Sequence, residues 1–469
     1  MVRSHGVNGE GPREACGLFG VWAPGEDVAR LAYFGLYALQ HRGQESAGIA
    51  VSDGHNILVY RELGLVSQVF DERTLSTLQG DLAIGHNRYS TTGSTTWENA
   101  QPSFKTDGSR GLALGHNGNL VNTEALAERV GRRGPATTDS DLVATLLAGE
   151  GTDLETAALR VLPTLRGAFS FVLMDERTVY GARDPHGLRP LAVGRLESGW
   201  VLASETAALD IVGAEYVREV EPGELVMLDD RGLRSARYAE SPRAALCLFE
   251  FVYLARADSR LYGRTVHQAR GGMGRRLARE APAPADMVMP IPDTGHSAAA
   301  GFAEEARIPY GEGLIKNRYV HRTFIEPTPS LRQRGVRLKL NPLADSIRGK
   351  RLAVVDDSIV RGTTTRQIVQ MLRDAGAREV HMRITSPPIK WPCYYGIDMS
   401  TREELVAAGL SVEEIRDFIG ADSLAYLSLP ALLEATGAPS DTFCRACFDG
   451  EYPIPVPERT PSKHLLERE

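Results

Sequence analysis

The stretch 354–364, Val-Val-Asp-Asp-Ser-Ile-Val-Arg-Gly-Thr-Thr, constrains the fold of this 469-residue chain more than any other. An apolar run ends in two adjacent carboxylates, Asp356 and Asp357. A loop of Ser358, Arg361, Gly362, Thr363 and Thr364 then opens into a helical pattern over 364–375, with Ile368, Met371 and Leu372 on one face. Backbone N–H groups and hydroxyls at a helix N-terminus cradle an anion. Two carboxylates beside such a cradle suit ribose hydroxyls and a magnesium ion. Strand-like runs at 287–292, 352–357 and 380–384 alternate with helical stretches, the pattern of a parallel α/β sheet. A second loop, Pro292-Asp293-Thr294-Gly295, ends one such run and precedes a helix over 297–307.

The first half reads as α+β. A strand at 16–22 precedes a helix over 28–40, whose Leu31, Phe34, Gly35, Ala38 and Leu39 fall on one apolar face. Short strands at 56–60, 82–85, 169–174 and 191–193 predict a two-layer sheet sandwich with helices laid on it. Polar residues at 238–243, with Pro242, mark the break between the halves, and the proline-rich charged tail begins at 453.

Cys16 is preceded by fifteen residues. Cleavage of the Ala15–Cys16 bond would give it a free α-amine, with a pKa of roughly 7.7–8, suited to act as a general base for its own thiol. Polar and glycine-rich clusters follow at 39–48, 85–91, 115–119 and 137–141. Taken singly they are ordinary: Asn117-Gly118 reads as a hairpin turn, Thr138 and Asp139 as helix caps, Arg88 as an ion-pair partner.

Composition excludes other classes. Lys and Arg total 53 against 60 Asp and Glu, a net charge of −7, which does not suit a bulk nucleic-acid or membrane-surface binder. The first fifteen residues carry no apolar core of a secretory signal, and no apolar run reaches the ~18 residues of a membrane span. Five cysteines, an odd number, argue against a disulfide framework and for a reducing, cytoplasmic setting.

Together, and in this order, the clusters from Cys16 to about residue 235 resemble the N-terminal-nucleophile (class II) glutamine amidotransferases, whose fold is a four-layer αββα sandwich. The resemblance implies Cys16 as nucleophile forming a glutamyl thioester. It implies Asn117 and the Gly118 N–H as the oxyanion hole, Arg88 on the glutamine α-carboxylate, Asp139 on its α-amine, and Arg42 supporting the nucleophile. Residues 1–15 would be a propeptide, 16–240 the glutaminase domain and 241–469 a second domain. The 354–364 stretch is similar to the phosphoribosyl pyrophosphate (PRPP) signature of type I phosphoribosyltransferases. That implies Asp356 and Asp357 on ribose and magnesium, Ser358 to Thr364 on the 5-phosphate, and Asp293, Thr294 and Gly295 on pyrophosphate, with Thr294 near the magnesium. Lys316 and Arg318 would face phosphate or nucleotide. The basic stretch 322–341 would be a lid, with His321 where the resemblance expects glycine.

The combination resembles the amidophosphoribosyltransferases, implying glutamine and PRPP as substrates, ammonia passed through a dry interdomain channel, purine-nucleotide inhibition and a homotetramer. Cys247, Cys393, Cys444 and Cys447 include a C-x-x-C pair. Their spacing alone fits zinc, an iron–sulfur cluster, or no metal. The resemblance, with the leader before Cys16, implies one [4Fe–4S] cluster and one magnesium ion per subunit. Two other readings compete: an amidotransferase with a different sugar acceptor, which would not need the Asp356-Asp357 loop, and a PRPP-sensing regulator without turnover.

Overall fold

The computed structural model describes residues 16–90, 93–106, 108, 110–131, 134–317, 339–399, 401–456 and 466. The proposed propeptide (1–15), Arg318 and most of the basic stretch (318–338) lie outside them.

The first half stacks two antiparallel sheets. The first runs in the order Glu215–Glu219, Ala192–Arg195, Trp200–Ala203, Gly17–Trp22, Leu82–Arg88, Ser46–Ser52, Ile57–Leu63. The second runs Gly232–Arg237, Glu224–Asp229, Val179–Arg183, Gly167–Met174, Gly111–Leu120, Ser103–Thr106. Leu18, Ile84, Ala113, Val172, Leu202 and Val226 fill the space between them. Helix Val28–Ala38 covers the outside of the first sheet, and helices Asp139–Gly149 and Leu154–Val161 cover the second. The result is the four-layer αββα sandwich.

The apolar face read for the 28–40 helix holds at Gly35, Ala38 and Leu39, which are buried, and needs correction at Phe34 and in part at Leu31. Phe34 is 48% exposed and Leu31 only half-buried, while Ala29, Ala32, Gly35 and Leu36 face the sheet. Small residues let the helix lie close: a Cβ on Gly35 would sit 2.2 Å from the Phe19 ring. Phe34 turns outward instead, and Tyr33, Phe34 and Tyr37 form an aromatic group of their own on the helix.

The second half is built on a four-stranded parallel sheet ordered Met287–Pro290, Arg351–Asp356, Glu379–Ile384, Ser423–Tyr426. The central strand is apolar on both faces, as a parallel sheet covered on both sides requires. Ala353 and Val355 enter the cluster under helices Val266–Glu280 and His296–Ala306. Leu352 and Val354 enter the cluster under Thr363–Asp374 and Val412–Ile419. A separate parallel pair joins Leu246–Cys247 to Phe443–Cys444, with Cys247 opposite Cys444. Among the described residues, no helix is long and apolar enough to cross a membrane.

Helices Val266–Glu280 and His296–Ala306 touch backbone to backbone: a Cβ on Gly274 would lie 1.9 Å from the Ala298 carbonyl oxygen, and one on Gly301 2.1 Å from that of Gly271. Gly274→Ala therefore forces the helices apart. It should lower stability by about 1–3 kcal/mol in urea unfolding, against the small gain that alanine brings to an uncrowded helix.

Candidate active sites

Cys16 stands at the head of strand Gly17–Trp22, 7% exposed. Its Sγ lies 3.4 Å from the Tyr89 amide, which donates to it, and 3.3 Å from the Tyr89 carbonyl. Burial pushes the thiol up to about 11, against the lowering pull of the Tyr89 backbone and Arg88. The sulfur is therefore protonated at neutral pH, and its chemistry needs a base close by. Glu45 and Asp139 also lie near enough to act on it.

Arg88 ends the neighbouring strand, buried, with Glu45 at 3.6 Å and the Ser94 carbonyl at 3.3 Å. Asp139 opens helix Asp139–Gly149 behind the Thr138 cap. Its carboxylate accepts from the Leu120 amide at 3.0 Å and the Ser140 amide at 2.9 Å, and lies 3.6 Å from His116 Nδ1. Burial would raise its pKa; His116 and the two amides outweigh burial and hold it below the usual carboxylate range. A buried, ionised carboxylate and a buried guanidinium thus flank one thiol, a pair of opposite charges suited to the two ends of an amino acid.

Asn117 and Gly118 lie inside strand Gly111–Leu120, not in a hairpin turn. Asn117 is fully buried, and neither its Nδ2 nor its Oδ1 has a hydrogen-bond partner. A buried amide left unpaired is costly, and such a donor is suited to a charge that develops only during reaction. Gly118 adopts φ +149, and a Cβ there would meet the Ala168 carbonyl oxygen at 2.0 Å.

Arg42 does more than its sequence context shows. Its Nε donates to the Cys16 carbonyl at 3.3 Å. Its remaining nitrogens bind Glu205 and, at 2.8 and 3.1 Å, Glu250. All three side chains are buried. Burial alone would depress the guanidinium, but Glu250 and Glu205 hold it well above its ordinary range. Glu205 is also bound by His41, by Ser259 Oγ and by the Arg256 amide. Sequence reading missed Glu205, Glu250 and Arg189. One signal was present: Glu250 is the lone charge within the apolar run 246–254.

The second site sits at the C-terminal edge of the parallel sheet, the usual ligand face of such sheets. Asp356 ends its strand, and Asp357 is nearly buried beside it, accepting from Ser358 Oγ and Thr294 Oγ1. Burial and the adjacent Asp357 raise Asp356 well above the usual carboxylate range. Gly362, at φ +78, caps helix Thr363–Asp374, and the Thr363 hydroxyl has no partner. Gly295 precedes helix His296–Ala306, where a Cβ would press on the Ile291 and Val355 carbonyls at 2.7 and 2.8 Å. The two loops therefore meet, with Thr294 against Asp357. Asp293 pairs with Lys316, and Arg361 turns to Glu404 at 2.6 Å.

The four remaining cysteines line one cavity with Arg189 and Tyr395. Burial pushes Cys247 up to about 12 and raises Cys444 and Cys447 well above the ordinary thiol range. Among the described residues, no three His, Cys, Asp or Glu side chains gather as ligands of a single ion.

Residues 86–210 match the model of a glutamine amidotransferase domain. A Mycobacterium bovis amidophosphoribosyltransferase is 59% identical, covering 97% of this chain and 90% of its own. A Bacillus subtilis amidophosphoribosyltransferase is 46% identical over 98% of both chains. A solved structure of B. subtilis glutamine PRPP amidotransferase complexed with ADP and GMP superposes with a TM-score of 0.90, covering 96% of this chain and all of that one.

In the chain still joined at Ala15–Cys16, alkylation of Cys16 by iodoacetamide should climb with pH through about 11. Peptide mass spectrometry follows it, and a midpoint near the ordinary ~8.5 would show that burial does not control the thiol.

Proposed function

The chain belongs to the amidophosphoribosyltransferases, and from that membership we infer how its two sites share one reaction. The enzyme transfers the amide nitrogen of glutamine to PRPP, releasing 5-phosphoribosylamine, glutamate and pyrophosphate, the first committed step of purine biosynthesis. The observation that carries the division of labour is the fully buried Asn117 amide, without a partner, on the strand whose His116 contacts Asp139. An oxyanion developing on the glutamine carbonyl during attack by Cys16 would accept from that amide.

In the proposed sequence, the α-amine of a freed Cys16 takes the thiol proton. The sulfur attacks the glutamine amide carbon, while Arg88 and Asp139 hold the α-carboxylate and α-amine. Asn117 Nδ2 and the Gly118 N–H receive the negative charge on oxygen. The α-ammonium passes its proton to the amide nitrogen, ammonia departs, and water later cleaves the thioester to glutamate and the free thiol. Ammonia is a nucleophile only while unprotonated, so a dry passage between the halves preserves it. It then attacks C1 of PRPP as the C1–pyrophosphate bond breaks, with Asp356 and Asp357 on the ribose hydroxyls and the 358–364 loop on the 5-phosphate.

Two adjacent carboxylates, one with a raised pKa, and the Thr294 hydroxyl form an oxygen donor set that suits one magnesium ion per subunit. When bound, magnesium supplies positive charge to the departing pyrophosphate. Four thiols around one cavity suit the one [4Fe–4S] cluster per subunit that the family resemblance implies. Its role would be structural. With it goes the propeptide-bearing type of the family, in which residues 1–15 are removed. Purine nucleotides would inhibit through the Lys316 region, consistent with the ADP and GMP of the B. subtilis complex. A cytoplasmic homotetramer completes the proposal.

Cys16→Ser should abolish glutamine-driven turnover and leave ammonia-driven turnover intact, whereas Asp357→Asn should lose both; PRPP-dependent pyrophosphate release reads each. Asn117→Ala should lower glutamine-driven kcat by about 10²–10³. Anaerobically purified protein should begin at Cys16 by intact mass and carry about four iron and four sulfide per chain. A fully active protein that retains its first fifteen residues would overturn the mechanism, and one that binds PRPP without turnover would be a regulator.

A further inference from the structure

The nucleophile's half of the molecule is not complete in itself. Glu250 belongs to the second half, three residues beyond Cys247, yet its carboxylate is wholly buried against Arg42 of the first. Arg42 in turn donates to the Cys16 carbonyl. The same Glu250 carboxylate lies 3.4 Å from Arg189 Nη1, and Arg189 donates to the Tyr395 carbonyl at 3.1 and 2.7 Å. Beyond Tyr395, Gly396 packs on the oxyanion strand so tightly that a Cβ there would lie 2.9 Å from the Gly118 carbonyl carbon. One carboxylate therefore braces two walls of the thiol site, the nucleophile's backbone through Arg42 and the Gly118 strand through Arg189 and Tyr395.

The far side of this carboxylate is also held. Glu250 opens the short turn Glu250–Leu254, wound with the wider spacing of a π-helix, a form often found at functional positions. Buried Arg270 donates to the Phe251 carbonyl at 2.9 Å and the Ala255 carbonyl at 2.8 Å, and Asp357 of the sugar-phosphate loop acts on its guanidinium. The turn that presents Glu250 is thus gripped by a side chain within electrostatic reach of the other site.

We propose that Glu250 is a positioning residue for glutamine cleavage, supplied by the phosphoribosyl half, so that the thiol site is assembled only when the two halves are docked. Glu250 touches neither substrate; it sets the orientation of Cys16 and of the strand bearing Asn117 and Gly118. The proposal rests on Cys16 being the nucleophile.

The test uses full-length protein, with rates expressed per mole of chain that begins at Cys16. Glu250→Gln keeps the shape and removes the charge; Glu250→Asp keeps the charge and shortens the reach. Glu250→Gln should lower glutamine-driven kcat by about a hundredfold, the scale of an ångström's misplacement. The KM for glutamine and the ammonia-driven rate should stay within about twofold. Glu250→Asp should recover a large part of that loss, because charge still reaches Arg42. Should Glu250→Gln fail to fold, the split between the two nitrogen donors is read from Glu250→Asp, where a selective loss of glutamine-driven kcat supports the proposal. Glutamine-driven kcat at the native level in a folded variant overturns it. So does a parallel fall of both rates with the folded fraction. Cys16→Ser in the same assay separates the layers: if it keeps glutamine turnover, the nucleophile reading fails, and if only the Glu250 variants are silent, this inference alone fails.

Discussion

Arg42, enclosed by Glu205 from its own half and Glu250 from the other, is the interaction on which the arrangement depends. A guanidinium removed from water is tolerable only when its charge and its donors are matched. Here two carboxylates and the Cys16 carbonyl take them up. Such a group stores little net stability, because the desolvation it suffers offsets most of its attraction. It gives position instead, since any shift strands a buried charge. The chemistry of the thiol has been built around a joint that tolerates one geometry.

Around that joint the two sites follow opposite designs. The thiol site is a closed one, with Cys16, Arg88, Asn117 and Asp139 all buried. The sugar-phosphate site is a rim, made where two parallel strands end and their loops touch through Thr294 and Asp357. A closed site suits a small zwitterion and a reactive sulfur; a rim suits a large polyanion that must come and go. Ammonia is the one reactant small enough to belong to both.

Much of this was legible in the sequence, and the reasons differ from residue to residue. Asp356, Asp357 and Gly362 stand together because a strand, a loop and a helix start are consecutive in the chain, so the motif is local and reads directly. Three of the four parallel strands were found for the same reason, through their apolar runs, and Ser423–Tyr426 was not named. The face of the 28–40 helix was read rightly at Gly35, Ala38 and Leu39 and misread at Phe34, since the contact is tightest where Gly35 meets the Phe19 ring and the aromatic residue turns outward. Glu205, Glu250 and Arg189 were invisible in kind: each acquires its role from partners 51 to 208 positions away in the chain, and only the oddity of one acid within 246–254 hinted at it. Arg361, placed with the phosphate loop by its motif, is paired with Glu404. Arg318 and 318–338 fall outside the described residues.

The strand pair that sets Cys247 opposite Cys444 has a consequence for the order of synthesis. The ribosome delivers the αββα sandwich first, and domains generally fold as they emerge. Residue 250 follows soon after, but Gly396 and the ladder that closes at 444 arrive only near the end of translation. A nascent chain therefore carries Cys16 and its strand long before it carries all the braces that orient them. On the roles proposed for Cys16 and Glu250, glutamine is spared from unfinished protein, since the fragment holding the thiol has not yet received its second half.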